Sequence, residues 1–218
     1  MTVGKVISMP FDENTYIAHV PGRDDCIVFD PGLDPEAILE YLAEHSLTPA
    51  AILCTHGHSD HIAGNAALKR RWPASPLVIG VGDAPKLTDP QLNLSAPFGL
   101  PMVSPPEDRT VDDGDVFEAA GMTLDVLTAP GHSVGHVVFL CRQTGPWTVF
   151  GGDVLFRGSI GRTDFPDGDF DSLRAAIHDK LFTLPDDTVV LPGHGLPTTI
   201  GHEKRTNPFV GAPAGFIA

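Results

Sequence analysis

The sequence predicts an α/β protein. Three observations point there: strand-length apolar runs alternate with segments of helical periodicity, glycine-flanked polar residues follow several of those runs, and FDPG at 29–32 is echoed by FGGD at 150–153. The echo hints at two related halves, each mixing strands with helices. At 218 residues the chain is long enough to bury a sizeable core without disulfide or metal staples.

Taken in order, strands are expected near Val3 to Ser8, Thr15 to Val20, Cys26 to Phe29 and Ala51 to Cys54, with a helix over Pro35 to His45 between the last two. A second helix is expected from about Ile62 to Arg71, stopped by Pro73 and Pro76. Prolines at 85, 90, 97, 101, 105 and 106 make residues 85–106 a long irregular loop with room for one helical turn, and loops of that length in compact domains are often functional. Strands follow near Met122 to Leu127, Val137 to Cys141 and Thr148 to Phe150. A helix over Asp171 to Leu181, a strand at Val189 to Leu191 and a short helix from about Thr199 complete the chain. No composition shift marks a linker.

The composition, 42% hydrophobic and 19% charged, is that of a soluble globular protein. Its apolar runs are too short to span a membrane and the first residues, MTVGK, lack the apolar core of a signal peptide, so a cytoplasmic protein with no membrane partner is expected. A formal charge of −14 argues against nucleic acid as a partner, because that binding rests on a basic face. Cys26, Cys54 and Cys141 are odd in number, far apart and set in apolar runs, so they are expected to be reduced core residues.

The chemistry concentrates in CTHGHSDHIAGN at 54–65, where His56, His58, Asp60 and His61 follow an apolar run. Three later segments each set one ligand type among glycines beside a strand: PGHSVGH offers His132, FGGDVLF offers Asp153 and LPGHG offers His194. Glycine permits the sharp turns and close approaches that a site assembled from several strand ends needs. A single Gly-His-Gly or Gly-Gly-Asp is most often an ordinary loop; the HxHxDH cluster followed in order by all three is far more specific. Five histidines and two aspartates suffice for two divalent ions, with zinc, iron or manganese suited to imidazole and carboxylate donors. His56 and His58, two apart in an extended segment, can face one ion together with His132, while Asp60 and His61 can serve another with His194.

THGHSDH, PGHSVGH, GGD and PGHG together resemble the metallo-β-lactamase superfamily. That resemblance implies a four-layered αβ/βα sandwich forming a single domain over 1–218, with the site at one edge of two sheets. It also implies that His56, His58 and His132 hold a first metal and Asp60, His61 and His194 a second, with Asp153 bridging. The β-lactamase branch typically has Arg in place of His61 and Cys in place of Asp153, which speaks against antibiotic hydrolysis. GDVLFRGSIGRTDFPDGD at 152–169 and LPGHGLPTTIGHEKRTNPF at 191–209 are similar to the short glyoxalase II-like branch, the hydroxyacylglutathione hydrolases. The implied reaction is hydrolysis of an acyl-glutathione thioester, S-D-lactoylglutathione giving D-lactate and glutathione. With 24 residues after His194, the C-terminal helical domain with which long glyoxalase II enzymes bind glutathione is not expected.

Under that resemblance, a hydroxide bridging two ions attacks the thioester carbonyl, and Asp60 orients the nucleophile and accepts its proton. Persulfide dioxygenases resemble the chain too, and would use one iron on His56, His132 and Asp153; a lactonase or other ester hydrolase would use the same binuclear centre. The anionic substrate calls for cations, and Arg157, Arg162, Lys204 and Arg205 are the ones expected nearby, with Arg162 also placed to pair with Asp164. His136 is expected to make a structural hydrogen bond. Asp30 is a candidate to orient a ligand or to stabilise its turn. His19, His45, His178 and His202 are expected at surfaces or helix ends.

Overall fold

The computed structural model describes residues 1–97, 99–143 and 145–217; of the proline-rich loop 85–106, residue 98 lies outside the described residues. The chain opens with β1 (Thr2–Ser8), β2 (Glu13–His19) and β3 (Asp25–Phe29), then α1 (Pro35–Glu44), β4 (Thr48–Cys54), α2 (Ser59–Ile62), α3 (Asn65–Arg71), β5 (Leu77–Gly80) and β6 (Arg109–Val111). The second half runs β7 (Val116–Ala119), β8 (Met122–Thr128), β9 (Val137–Cys141), β10 (Thr148–Gly152), the short pair β11 (Leu155–Phe156) and β12 (Ser159–Ile160), α4 (Phe170–Ala176), β13 (Val189–Pro192), β14 (Thr198–Thr199) and α5 (Ile200–Thr206).

These strands form two six-stranded sheets, ordered β1-β2-β3-β4-β5-β6 and β14-β13-β10-β9-β8-β7. The period of two along each strand explains the layering. In β3, Ile27 and Phe29 point to one face and Cys26 and Val28 to the other; in β4, Ala51 and Leu53 alternate with Ile52 and Cys54 in the same way. Ile27, Phe29, Ala51 and Leu53 meet Leu124, Val126, Phe139, Phe150 and Leu191 of the opposite sheet, so this cluster is the filling between the sheets. On the outer face of the first sheet Val28, Ile52 and Cys54 pack with Ile38 and Leu42 of α1 and Leu68 of α3, and on the outer face of the second Val138, Leu140, Val149 and Val190 pack with Leu173 of α4 and Ile200 of α5. Helix, sheet, sheet, helix is the four-layered sandwich that the motifs imply. Burying both faces also explains the nearly continuous apolar runs of β3, β4 and β9.

Two expectations are corrected, and one strand was not expected. The helix over Ile62 to Arg71 is broken in two at Gly64, whose amide donates to Pro31 O at 2.8 Å; a Cβ there would stand 2.9 Å from Pro31 Cβ and 3.0 Å from Pro31 O. Leu77–Gly80, assigned to no element from the sequence, is a buried parallel strand beside β4. The helix expected over Asp171 to Leu181 begins one residue earlier, capped by the Asp169 carboxylate accepting from Ser172 N at 2.7 Å, and its last turn, Ile177–Leu181, is π-helical. The echo of FDPG and FGGD has a physical counterpart: each begins near the end of a strand, and the Phe29 and Phe150 rings stack at 3.7 Å between the sheets.

All three cysteines are buried and unpaired, and burial pushes the Cys26 thiol up to about 12. Among the described residues no helix is long and apolar enough to cross a membrane.

Candidate metal centre

All seven candidate ligands lie at one edge of the sandwich, where strands end. His56, His58, Asp60 and His61 come from the end of β4 and from α2, His132 from the β8–β9 connection, Asp153 from just past β10 and His194 from just past β13. The edge is stitched together by backbone: Asn14 N donates to Gly193 O at 2.7 Å, and the Asn14 amide and the Tyr16 hydroxyl both donate to Pro192 O at 3.0 Å. Two glycines are needed for the approach. Gly152 has φ +47°, and a Cβ there would lie 2.8 Å from His136 Nε2; a Cβ on Gly193 would lie 2.6 Å from His61 Cε1 and collide with Asp153 Oδ1.

The side chains gather into two groups. His58 Nδ1 lies 3.1 Å from His56 Nε2 and 2.9 Å from His132 Nε2. His194 Nε2 lies 3.3 Å from His61 Nε2 and 3.4 Å from Asp60 Oδ2, and His61 Nε2 is 3.7 Å from the same oxygen. Asp153 stands between them: Oδ2 is 3.5 Å from both His132 Nε2 and His194 Nε2, and Oδ1 is 3.5 Å from His61 Nε2. The ligand atoms of His56, His58 and His132 lie within 4.8 Å of one another, as do those of Asp60, His61 and His194, and of His56, His61 and Asp153.

This geometry fits metal ions. Tetrahedral ligation at zinc–nitrogen distances of about 2.0–2.1 Å puts neighbouring donors about 3.3 Å apart, close to the separations in both groups. Four of the five imidazoles are oriented from behind, as metal-binding histidines commonly are. His132 Nδ1 faces Arg162 O at 2.8 Å, His194 Nδ1 faces Phe11 O at 2.9 Å, and His61 Nδ1 faces Asp30 Oδ2 at 3.2 Å. Thr55 Oγ1 gives its proton to Asp30 Oδ2 at 2.7 Å and so accepts from His56 Nδ1 at 3.1 Å. In each case the donating nitrogen leaves the Nε2 lone pair turned inward. Asp153 Oδ1 is buried without a hydrogen-bond partner among the described residues, an expensive state that an ion would relieve.

The electrostatics of the first group match a metal site. Burial, followed by the neighbouring imidazoles, holds His56 and His58 well below the ordinary histidine range, so they offer neutral donors. Burial opposes the ionised form of Asp60, yet His61 and His194 outweigh it and hold the carboxyl well below its usual range. His61 is driven the other way: burial lowers it, but Asp153, Asp60 and Asp30 together raise it well above its ordinary value.

Asp30 faces His61 Nδ1 and accepts from Thr55 N at 2.7 Å, so of the two roles considered for it the contacts support orienting a ligand. His136 Nε2 accepts the Asp153 amide at 3.1 Å, the structural bond expected. His19, His45, His178 and His202 lie outside the cluster. Of the four expected cations, Arg162 alone lines the cavity over the centre; Lys204 and Arg205 pair instead with Asp186, and Arg157 lines a separate depression with Pro197 and His202.

Sequence reasoning missed a buried brace behind the first group. Asp83, fully buried, accepts from Gly57 N and Gly135 N, each at 2.8 Å, and from Ser133 Oγ at 2.6 Å. Lys86, also buried, bonds Ser133 and reaches Asp167 Oδ2 at 2.6 Å. The pair thus ties together the loops carrying His56 and His58, His132, and Arg162. Glu13 was missed too: it is buried behind the centre, where burial pushes its carboxyl well above the usual range. Nothing in the sequence around these residues separates them from solvated loop or strand-end positions.

Two layers of helix around facing sheets, with paired histidine and aspartate groups at the sheet edge, define an α/β sandwich of the metal-binding class. The chain belongs to the metallo-beta-lactamase superfamily, whose family model matches residues 9–194. It is 37% identical over 202 residues to the probable metallo-hydrolase YqgX of Bacillus subtilis, covering 92% of this chain and 93% of that one. It is 37% identical over 186 residues to the hydroxyacylglutathione hydrolase GloC of Haemophilus influenzae, covering 84% and 86%. Among solved structures it is similar to the BLEG-1 B3 metallo-beta-lactamase (TM-score 0.91, 36% identity, 96% of this chain and 99% of that one). It is also similar to ETHE1 from Myxococcus xanthus (0.81, 29%, 97% and 85%) and to TTHA1623 in a di-iron-bound form (0.81, 37%, 94% and 99%). The family and the histidine–aspartate cluster support a divalent metal centre.

Proposed function

We propose that the chain is a binuclear metal-dependent thioesterase of the glyoxalase II kind, hydrolysing acyl-glutathione-type thioesters such as S-D-lactoylglutathione. The observation that carries this reading is the completeness of both ligand groups, with the Asp153 carboxylate between them. His56, His58 and His132 would hold one ion, Asp60, His61 and His194 the other, and Asp153 would bridge; zinc is the expected metal, with iron or manganese as alternatives. Such ions, when bound, lower the pKa of water and polarise a carbonyl oxygen.

The chain's own residues do the rest. Asp60 lines the cavity, where it orients the attacking water and accepts its proton. Hydrolysis breaks the thioester C–S bond and forms a C–O bond, so the thiolate needs no further acid. Arg162 is the cavity's cation among the described residues, bound through both Asp164 oxygens at 2.9 Å and therefore partly neutralised before any substrate arrives. A cytoplasmic setting and a small-molecule partner belong to the same proposal, the former supported by three unpaired cysteines.

The similarity to GloC supports the thioester, and the di-iron form of TTHA1623 supports two ions. The test is loss of thioester absorbance from S-D-lactoylglutathione with the protein as purified with its metals, nitrocefin and glutathione persulfide serving as controls. Thioester loss faster than nitrocefin turnover is expected. An inert thioester with oxygen consumed on glutathione persulfide would replace the reading with a persulfide dioxygenase like one on His56, His132 and Asp153.

A further inference from the structure

The cavity over the centre has a volume of about 230 Å³, and its walls beyond the candidate ligands are Phe11, Ser59, Leu94, Phe156, Arg162 and Phe165. Four of those six are large and apolar. A lactoyl group is small and carries a hydroxyl, so it makes little use of these apolar walls. Unfilled apolar space forfeits the contacts that make such a wall useful to binding.

The neighbouring segments carry more of the same chemistry. Met9 and Phe11 in the β1–β2 turn, Leu92 and Leu100 in the loop after Leu87, and Leu196 just past His194 are all exposed. Scattered exposed apolar side chains need no explanation, but here they lie on the segments that supply Phe11, Leu94 and His194 to one cavity.

Leu94 adds a second, independent observation. Its φ is +66°, a left-handed conformation that a branched side chain adopts at a cost of roughly 1–2 kcal/mol. The surrounding loop holds it there: Asn93 Nδ2 donates to Lys86 O at 3.1 Å and Met102 O at 3.0 Å, Ser95 N donates to Asn93 Oδ1 at 3.0 Å, and Ser59 N of α2 donates to Asn93 O at 2.9 Å. Glycine would sit at this position without strain; this chain has leucine there, lining the cavity. Strain maintained at a cavity wall points to a use for the side chain.

Building on the thioesterase reading, we propose that Leu94, Phe156 and Phe165 form an acyl pocket, and that the preferred substrates are thioesters of apolar acids, aromatic or branched aliphatic, rather than of small hydroxy acids. The reaction is unchanged: water adds to the acyl carbon, the C–S bond breaks, and the acid and free thiol leave.

The test compares two thioesters on the same thiol, S-phenylacetylglutathione and S-D-lactoylglutathione, with the protein as purified with its metals. The phenylacetyl thioester is expected to have a kcat/KM about tenfold higher, the scale of discrimination that an apolar pocket supplies. Leu94→Gly, which removes the side chain and suits the backbone, is expected to cut that ratio about tenfold. Equal or better hydrolysis of the lactoyl thioester, or a ratio untouched by Leu94→Gly, would overturn the acyl pocket and leave the thioesterase standing. Failure of both thioesters would overturn the thioesterase reading itself, and the pocket with it.

Discussion

Asp153→Ala lowers thioester turnover by about three orders of magnitude, a loss of ~4 kcal/mol of transition-state stabilisation. The carboxylate is the group that touches both clusters, standing 3.5 Å from His132, His194 and His61, and it is 10% exposed at its side chain, so no solvent group readily replaces it. Its removal also takes away an acidic neighbour that raises His61 against the effect of burial, so the second group loses both a donor and the charge that organises it. Steady-state kinetics on S-D-lactoylglutathione, with circular dichroism to show that the variant is folded, checks this. Activity within a few fold of wild type would show that the chemistry does not pass through this position.

Asp83→Ala is expected to destabilise the fold by about 3 kcal/mol, because it leaves the buried Lys86 ammonium without one of its carboxylates and strips the amides of Gly57 and Gly135 of their acceptor. Urea denaturation reads this directly, and for a chain of this size the melting temperature should fall by roughly 10 °C. Lys86→Met added to Asp83→Ala is expected to recover part of the loss, since the stranded charge goes with it. A cost below about 1 kcal/mol for Asp83→Ala would mean that the brace contributes little. Because these bonds fix the loops of His56, His58 and His132, metal affinity should weaken along with stability, typically by about 10–100-fold for groups one layer behind a ligand.

The candidate site was legible because its donors come in short, glycine-flanked clusters, each near the end of a strand, and the motif resemblance implies that those ends meet at one edge. His56, His58 and His61 share a single turn of chain, and no packing knowledge is needed to place them together. The layering was legible from motif resemblance, while the parallel strand Leu77–Gly80 was not, since four apolar residues between prolines carry no periodicity of their own. The break at Gly64 depends on Pro31, 33 positions earlier in the chain, touching the helix path, and such a tertiary contact leaves no local trace. Asp83 and Lys86 went unseen for the same reason. A lone acid and a lone base in a proline-rich loop read as solvated residues until the fold folds them inward. The expected cation cluster failed on similar grounds: Lys204 and Arg205 sit on α5, close in sequence to His194, but α5 turns them toward Asp186.

The central claim is a centre built for two ions, and the direct measurement is metal content per chain by mass spectrometry on protein purified without chelators. About two ions per chain, falling in step with activity when a chelator is added and restored with it on return of zinc or iron, is the result expected. About one iron per chain, with the Asp60, His61 and His194 group contributing nothing to metal content when His194 is replaced by alanine, would contradict it.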